Sequence, residues 1–214
     1  MQTILEIGCG SGSFMQKLQA VPGCSITGID INPRGIDECR AKGLQAFCET
    51  AEEHLQRTGT QYDCTVAFHC LEHVSSPLAF AKTCLSLTKA NGIMCFSTPF
   101  SPMSFEDYWY DPLNNPPHHM TRWNSLSYNV LAQNLGLQCQ LASPNAGSAL
   151  RRAAMSVALY KYRSPVHLTK AAISKSVLLH PAMFVRNFFR QIQRERLDGR
   201  AAGDVVLVIF SGHM

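Results

Sequence analysis

Several short stretches of this 214-residue chain hold residue types and spacings that can do chemistry. In Leu5-Glu6-Ile7-Gly8-Cys9-Gly10-Ser11-Gly12, three glycines alternate with small residues behind an acid. Such a turn lets the backbone approach a ligand without Cβ clashes, and a helix starting behind it offers N–H groups to an anionic or carboxylate-bearing ligand. Gly28-Ile29-Asp30-Ile31-Asn32 places a carboxylate 18 residues after Gly12, where it can accept bonds from both hydroxyls of a ribose. The plainer alternative for Asp30 is to cap the helix beginning near Pro33-Arg34. In Phe68-His69-Cys70-Leu71-Glu72-His73-Val74, His69, Glu72 and His73 stand at i, i+3 and i+4, so one helical turn gathers them. That trio has the donors for a divalent metal, but hydrogen bonding at a helix start is the reading adopted, and no metal is expected. Further on, Asn114-Asn115-Pro116-Pro117-His118-His119-Met120-Thr121-Arg122-Trp123 supplies two imidazoles, and neutral imidazole can take a proton from a hydroxyl.

These groups need a scaffold, and the apolar pattern supplies one. Thr3–Ile7, Ser25–Asp30, Tyr62–Phe68 and Gly92–Ser97 read as buried strands, with Gln45–Phe47 a weaker one. Helical patterns over Phe14–Ala20, Arg34–Lys42, Glu52–Gln56, Ala79–Leu87 and Ser125–Leu135 alternate with them. Alternation of this kind implies parallel strands joined by helical crossovers. Leu137–Ala142 and Val205–Phe210 are two later strands, and the stretch between them is too long for a hairpin. Within it, Ser148–Tyr160 and Pro181–Arg196 read as helices. In the second, Val185, Phe188, Phe189 and Ile192 share one face, and Arg186, Arg190 and Arg194 recur on another.

The glycine spacing separates nucleotide sites. A dinucleotide fingerprint requires G-x-G-x-x-G, and here Ser13 stands where the last glycine would be. The run with its leading Glu6 instead resembles the first motif of the class I S-adenosylmethionine-dependent methyltransferases, E/D-x-G-x-G-x-G. The resemblance implies a doubly wound, mostly parallel seven-stranded Rossmann-like α/β sheet with an antiparallel last strand, here with a helical insertion before it. It implies S-adenosyl-L-methionine as cofactor, with Glu6, Gly8, Cys9, Gly10 and Gly12 under its methionine part. Asp30 and Ile31 then serve the ribose side, and Thr50 and Ala51 the adenine edge. Thr50 stands where the family often has Asp, and its other reading is a capping box with Glu53. The segment Leu71-Glu72-His73-Val74, followed by Pro77, is similar to that of ubiquinone-biosynthesis O-methyltransferases and of sugar and polyketide tailoring enzymes. It puts His69 where the family's chain passes close to cofactor and acceptor. The same subgroup often carries a His-His-hydrophobic-Thr/Ser element after the fifth strand, so His118 or His119 is the expected base. Phe105, Tyr108, Trp109 and Tyr110 with Asp107 and Asp111 suit a polyhydroxylated or planar acceptor or a packed loop. The family usually has helices before its first strand, which here begins at Thr3. Either the recorded start is internal or the pocket is unusually open.

Composition bounds the rest. The chain is expected to be one domain, with core 1–144 and 204–214 and a basic helical insertion over 145–203. Residues 1–150 hold 8 basic and 12 acidic side chains, and residues 151–200 hold 11 basic and 2 acidic. A cationic segment beside an acidic core suggests an anionic partner: a charged small-molecule or glycan acceptor, or a membrane surface met through 181–196. Nucleic acid is not expected, because no Asn/Asp-Pro-Pro-aromatic motif follows the fourth strand. No run of 18 apolar residues exists and no secretory signal is read at the start. Nine scattered cysteines without a C-x-x-C pair suit reduced thiols in the cytoplasm. The expected activity is methyl transfer to a hydroxyl of a small molecule or glycan precursor. The competing reading is a catalytically weak cofactor-binding module acting through its basic insertion.

Overall fold

Strand β1 (Gln2–Ile7) is apolar from Ile4 to Ile7 apart from Glu6, and all four of these residues are buried. A strand buried on both faces needs neighbours on both edges and helices above and below. In the computed structural model it has them: β2 (Cys24–Asp30) and β4 (Tyr62–Phe68) pair with it in parallel, with Ile7 opposite Ile29 on one side and Ala67 on the other. Strands β3 (Ala46–Cys48) and β5 (Thr88–Pro99) extend the parallel sheet outward. The order is β3-β2-β1-β4-β5-β7-β6, with β6 (Gln138–Ala142) and β7 (Val205–Ser211) forming the antiparallel end. The doubly wound α/β expectation holds, including the antiparallel last strand. The structure describes residues 1–103, 106, 112–142, 148–162, 168–198 and 204–212, and no side chains from 194 to 198. The aromatic cluster around Tyr108 to Tyr110, the side chain of Arg194 and part of the 145–203 stretch therefore lie outside the described residues.

The chain divides into two compact units. The first comprises Met1–Thr98, Leu126–Gln140 and Val208–Met214. Here α1 (Ser13–Gln19) and α2 (Pro33–Ala41) cover one face, where Met15, Ile36, Cys39 and Leu44 close over Ile4, Ile26 and Ala46. Full burial of a Met, Leu or Ile side chain such as these stabilises by about 1.5–3 kcal/mol. A second cluster joins Phe80 of α4 (Pro77–Ser86), Phe96, Phe210 and Tyr128 of α5 (Ser125–Leu135), with Phe96 and Phe210 edge to face and the other two pairs tilted. The buried Tyr128 hydroxyl is satisfied by Thr98 at 2.7 Å. Helix α3 (Ala51–Thr58) follows β3.

The second unit comprises Pro99–Ser125 and Leu141–Leu207. Its first segment is tied by a Phe100–Trp123 bridge and by the Ser101 N–H donating to the Trp123 carbonyl at 2.8 Å. The rest is a packet of three helices, α6 (Ala149–Tyr162), α7 (Lys170–Leu179) and α8 (Pro181–Asp198), with both later helices packed on α6. Helix α6 buries Ala149, Ala153, Ser156 and Val157, a stripe at helical spacing. Buried Arg152 donates from Nε to Gln191 Oε1 of α8 at 2.9 Å, which places a polar clasp inside the packet. The sequence pattern gives α6 and α8 but not α7, whose cap is Thr169 accepting from the Ala172 N–H. Among the described residues no helix is long and apolar enough to cross a membrane.

Candidate functional site

The turn after β1 is made by glycines in the left-handed region: Gly8, Gly10 and Gly12 have φ of 75°, 53° and 81°. An L side chain at any of them would be strained. Two of the three have a further reason. A Cβ on Gly8 would lie 2.3 Å from Cys70 Sγ, because β4 leaves the sheet directly beside it. Gly10 is different: a Cβ there would meet nothing within 4 Å, so its face is open. The remaining geometry aims backbone at Asp30. The Gly10 N–H donates to Asp30 Oδ2 and the Asn32 N–H to Asp30 Oδ1, each at 2.8 Å. A carboxylate has about four acceptor positions, so each oxygen keeps one more. The capping role falls instead to Asn32, whose side chain accepts from the Arg34 N–H. Ile31, next to Asp30, leaves an apolar side chain 75% exposed.

Glu6 lies beneath this turn. Its side chain is buried, its Oε2 has no hydrogen-bond partner, and burial, followed by the charge of Asp30, pushes its carboxyl up to about 8. A buried, protonated carboxyl with an orphan oxygen offers a hydrogen-bond acceptor, and a cation brought beside it would draw it towards its ionised form.

At the end of β3 the acid is Glu49, which the sequence pattern did not single out. Arg57 holds it bidentately, Nε to Oε2 at 2.8 Å and Nη2 to Oε1 at 2.7 Å, and buried His54 bonds it through Nδ1 while its Nε2 meets Tyr62 Oη at 2.8 Å. Its bonds to Arg57 bring the Glu49 carboxyl down to about 2. Thr50 makes the full capping box of α3: its hydroxyl accepts from Glu53 N–H and Glu53 Oε2 accepts from Thr50 N–H. Its side chain is thus committed to the cap, and buried Ala51 is the first helical residue.

At the end of β4, His69 has φ 53°, a left-handed conformation unusual for a residue with a side chain. Its N–H donates to the Ser97 carbonyl at 2.9 Å, and its Nδ1 lies 3.1 Å from buried Glu72. Residues 69–74 form a turn rather than a helix; α4 begins at Pro77. All these groups, from Glu6 to His69, belong to the first unit.

The two histidines of the second unit differ. His118 is exposed; His119 is half-buried and held. Its Nδ1 is 2.8 Å from Oδ1 of buried Asn114, and Asn114 Nδ2 donates to Glu106 Oε1 at 3.1 Å. A carboxylate only accepts, so Glu106 fixes which way the Asn114 amide points. Its oxygen therefore faces His119, whose Nδ1 must carry the proton, leaving Nε2 as the basic nitrogen of the neutral ring. Glu106 also accepts from Ser101 Oγ at 3.1 Å and pairs with Arg122 at 3.4 Å. Trp123 is buried, its Nε1 donating to Thr121 Oγ1, so it is a packing residue.

A family model described as "Methyltransferase domain" matches residues 2–142. Curated relatives include the ubiquinone biosynthesis O-methyltransferases of Serratia proteamaculans, 31% identical over 103 residues, and of Bordetella bronchiseptica, 32% identical over 101. Each match covers 45% and 44% of this chain, respectively, and 42% of the relative, so the chain spans under half the length of these proteins. Among solved structures, a SAM-dependent methyltransferase from Archaeoglobus fulgidus superposes with a TM-score of 0.63 at 17% identity, covering 98% of this chain and 86% of its own. A plantazolicin methyltransferase solved with S-adenosylhomocysteine gives 0.59 at 12% identity, covering 100% and 77%. At these identities the likeness is one of fold.

Proposed function

Since the chain belongs to the methyltransferase domain family, in its S-adenosylmethionine-dependent class, we propose that it transfers a methyl group to a hydroxyl of a small molecule or glycan precursor. The observation that carries the reading is the Asp30 carboxylate, fixed by the Gly10 and Asn32 N–H groups beside the open face of Gly10 and left with acceptor positions to spare. The residues present fit the cofactor. Glu6 offers its orphan oxygen to a ligand ammonium, the open face of Gly10 admits the approach while Gly8 and Gly12 hold the turn over buried Cys9, Asp30 receives ribose hydroxyls, and exposed Ile31 offers an apolar seat beside them. Ala51, Thr50 and the Glu49–Arg57 pair border the adenine side, and His69 the reacting end. When bound, S-adenosylmethionine supplies an electrophilic methyl on a sulfonium, and in-line transfer from it depends mainly on positioning.

The base is His119 rather than His118. Its Nδ1 proton is pinned by Asn114 and Glu106, so Nε2 takes the acceptor's hydroxyl proton. A hydroxyl acceptor agrees with the O-methyltransferase names of the curated relatives. The basic composition of 151–200 favours an anionic acceptor, with 145–203 an insertion in one methyltransferase domain and 181–196 a surface for an anionic partner. Nine free thiols agree with a cytoplasmic setting.

Calorimetry with S-adenosylhomocysteine and transfer of labelled methyl to a cell extract test this together. His119→Ala should lower transfer by about 100-fold or more with cofactor affinity retained, while His118→Ala costs little. Full activity in His119→Ala would end the base assignment, and absence of S-adenosylhomocysteine binding would end the enzyme.

A further inference from the structure

The α7–α8 corner carries a feature that methyl transfer does not use. Leu178 and Leu179 close the last turn of α7, and Pro181 opens α8 after a single intervening residue, His180. Around this corner Leu178, Leu179, Val185 and Phe189 are 80%, 55%, 50% and 64% exposed. Four large apolar side chains exposed within the twelve residues 178–189 are denser than the scattered apolar surface of an ordinary monomer, and concentrated apolar exposure of this kind marks contact surfaces. Val185 and Phe189 stand at i and i+4, one stripe along α8. Arg186 and Arg190 are each one residue further on, so a cationic stripe runs about 100° round the helix from the apolar one. Both arginines are exposed, as are Lys170 and Lys175 of α7.

Charge selects the partner. From Arg151 to Arg194 the sequence holds nine lysines and arginines and no aspartate or glutamate. A protein partner of ordinary mixed charge would find nothing acidic here to receive its cations. A sheet of anionic headgroups over an apolar layer matches both stripes at once: acyl chains receive the apolar corner while phosphates receive the arginines. No described helix can span a bilayer, so the contact is with its surface.

We propose that the α7–α8 corner is a membrane foot, seating Leu178, Leu179, Val185 and Phe189 in the headgroup–acyl boundary of an anionic bilayer, with Arg186 and Arg190 on its phosphates. The inference goes beyond the methyl-transfer reading and stands on different residues. None of the six is among the residues assigned above to the cofactor or to the base.

Vesicle flotation tests it, using the whole chain with phosphatidylcholine alone and with phosphatidylcholine plus phosphatidylserine. The chain should float with the anionic vesicles about tenfold more than with the neutral ones, and less so as salt rises. Leu178→Ser with Phe189→Ser should cut that binding about tenfold or more, as should Arg186→Gln with Arg190→Gln. The emission of Phe189→Trp should move to the blue on adding anionic vesicles. All these positions are exposed, so the variants should keep the parent's Tm and its S-adenosylhomocysteine affinity. That affinity, measured on the same preparations, separates a failed foot from a failed methyltransferase. Equal binding to both vesicle types, no binding at low salt, or unchanged flotation by both double variants would overturn the proposal. So would sedimentation showing a dimer that Phe189→Ser dissolves without vesicles, since the corner would then belong to a second copy.

Discussion

At the glycine turn, holding is done by the backbone; in the α6–α8 packet it is done by side chains. Gly10 and Asn32 reach Asp30 through main-chain N–H groups, and the turn tolerates no Cβ beside Cys70. In the packet, by contrast, a stripe of small α6 residues and the Arg152–Gln191 clasp set the contacts, and the outward face is free to vary in chemistry. The contrast teaches where each region is vulnerable. A backbone site is destroyed by one misplaced atom, whereas a helical face changes its partner by degrees.

Substitutions can break or sharpen that contrast. The largest effect should come from Asp30→Ala. It removes the acceptor for two N–H groups and for the ribose, and each hydrogen bond to a charged group is worth about 1.5–3 kcal/mol. S-adenosylhomocysteine affinity should fall by about 100-fold or more by calorimetry. Next comes a pair at the turn. Gly10→Ala strains the backbone by about 1–2 kcal/mol but meets open space, so it should weaken the cofactor more than the fold. Gly8→Ala drives its Cβ into Cys70 and should lower Tm well beyond the Gly10 variant. If the two variants lose Tm equally, the open face over Gly10 is not a ligand seat.

A third test uses pH. In the folded chain Glu6 keeps its proton up to about 8, while unfolded it releases it near the ordinary glutamate value of 4.5. The folded state therefore binds more protons between these values, and stability falls as pH rises through that window. Glu6→Gln cannot ionise, so its Tm should gain on the parent's between pH 5 and pH 9 by about 2–4 °C per kcal/mol removed. Parallel Tm curves for the two proteins would show that Glu6 ionises freely. The smallest effect belongs to the packet: Arg190→Gln should leave S-adenosylhomocysteine affinity within about twofold, less than 0.5 kcal/mol.

Much of this was legible in the residues. Tyr62–Phe68 and Ser125–Leu135 occupy the limits their apolar patterns imply, because a buried parallel strand and an apolar-faced helix carry strong local signals. Helix α7 carried none. Its leucines sit on the exposed side and two serines interrupt the pattern, so Lys170–Leu179 shows no apolar face to read. Strand β5 begins at Thr88, four residues before the apolar run, because Lys89-Ala90-Asn91-Gly92 has turn composition and is made strand by its neighbours. Asp30 and the glycines were visible as a spaced motif. The Glu106–Asn114–His119 chain was not, since its order depends on an amide orientation that only three-dimensional contact fixes. The left-handed backbone of His69 was equally hidden.

The placing of β7 has a consequence for how the molecule is made. This strand buries Val206, Val208 and Phe210 and stands between β5 and β6, although both are synthesised earlier. Among the described residues strand β6 has no other hydrogen-bonded neighbour, so it waits as an orphan while about sixty more residues leave the ribosome. Until β7 arrives, β5 shows a bare edge, a template for pairing with another nascent chain. Nonsense or frameshift changes after residue 200 should thus turn this protein into an aggregate rather than a slightly shorter enzyme.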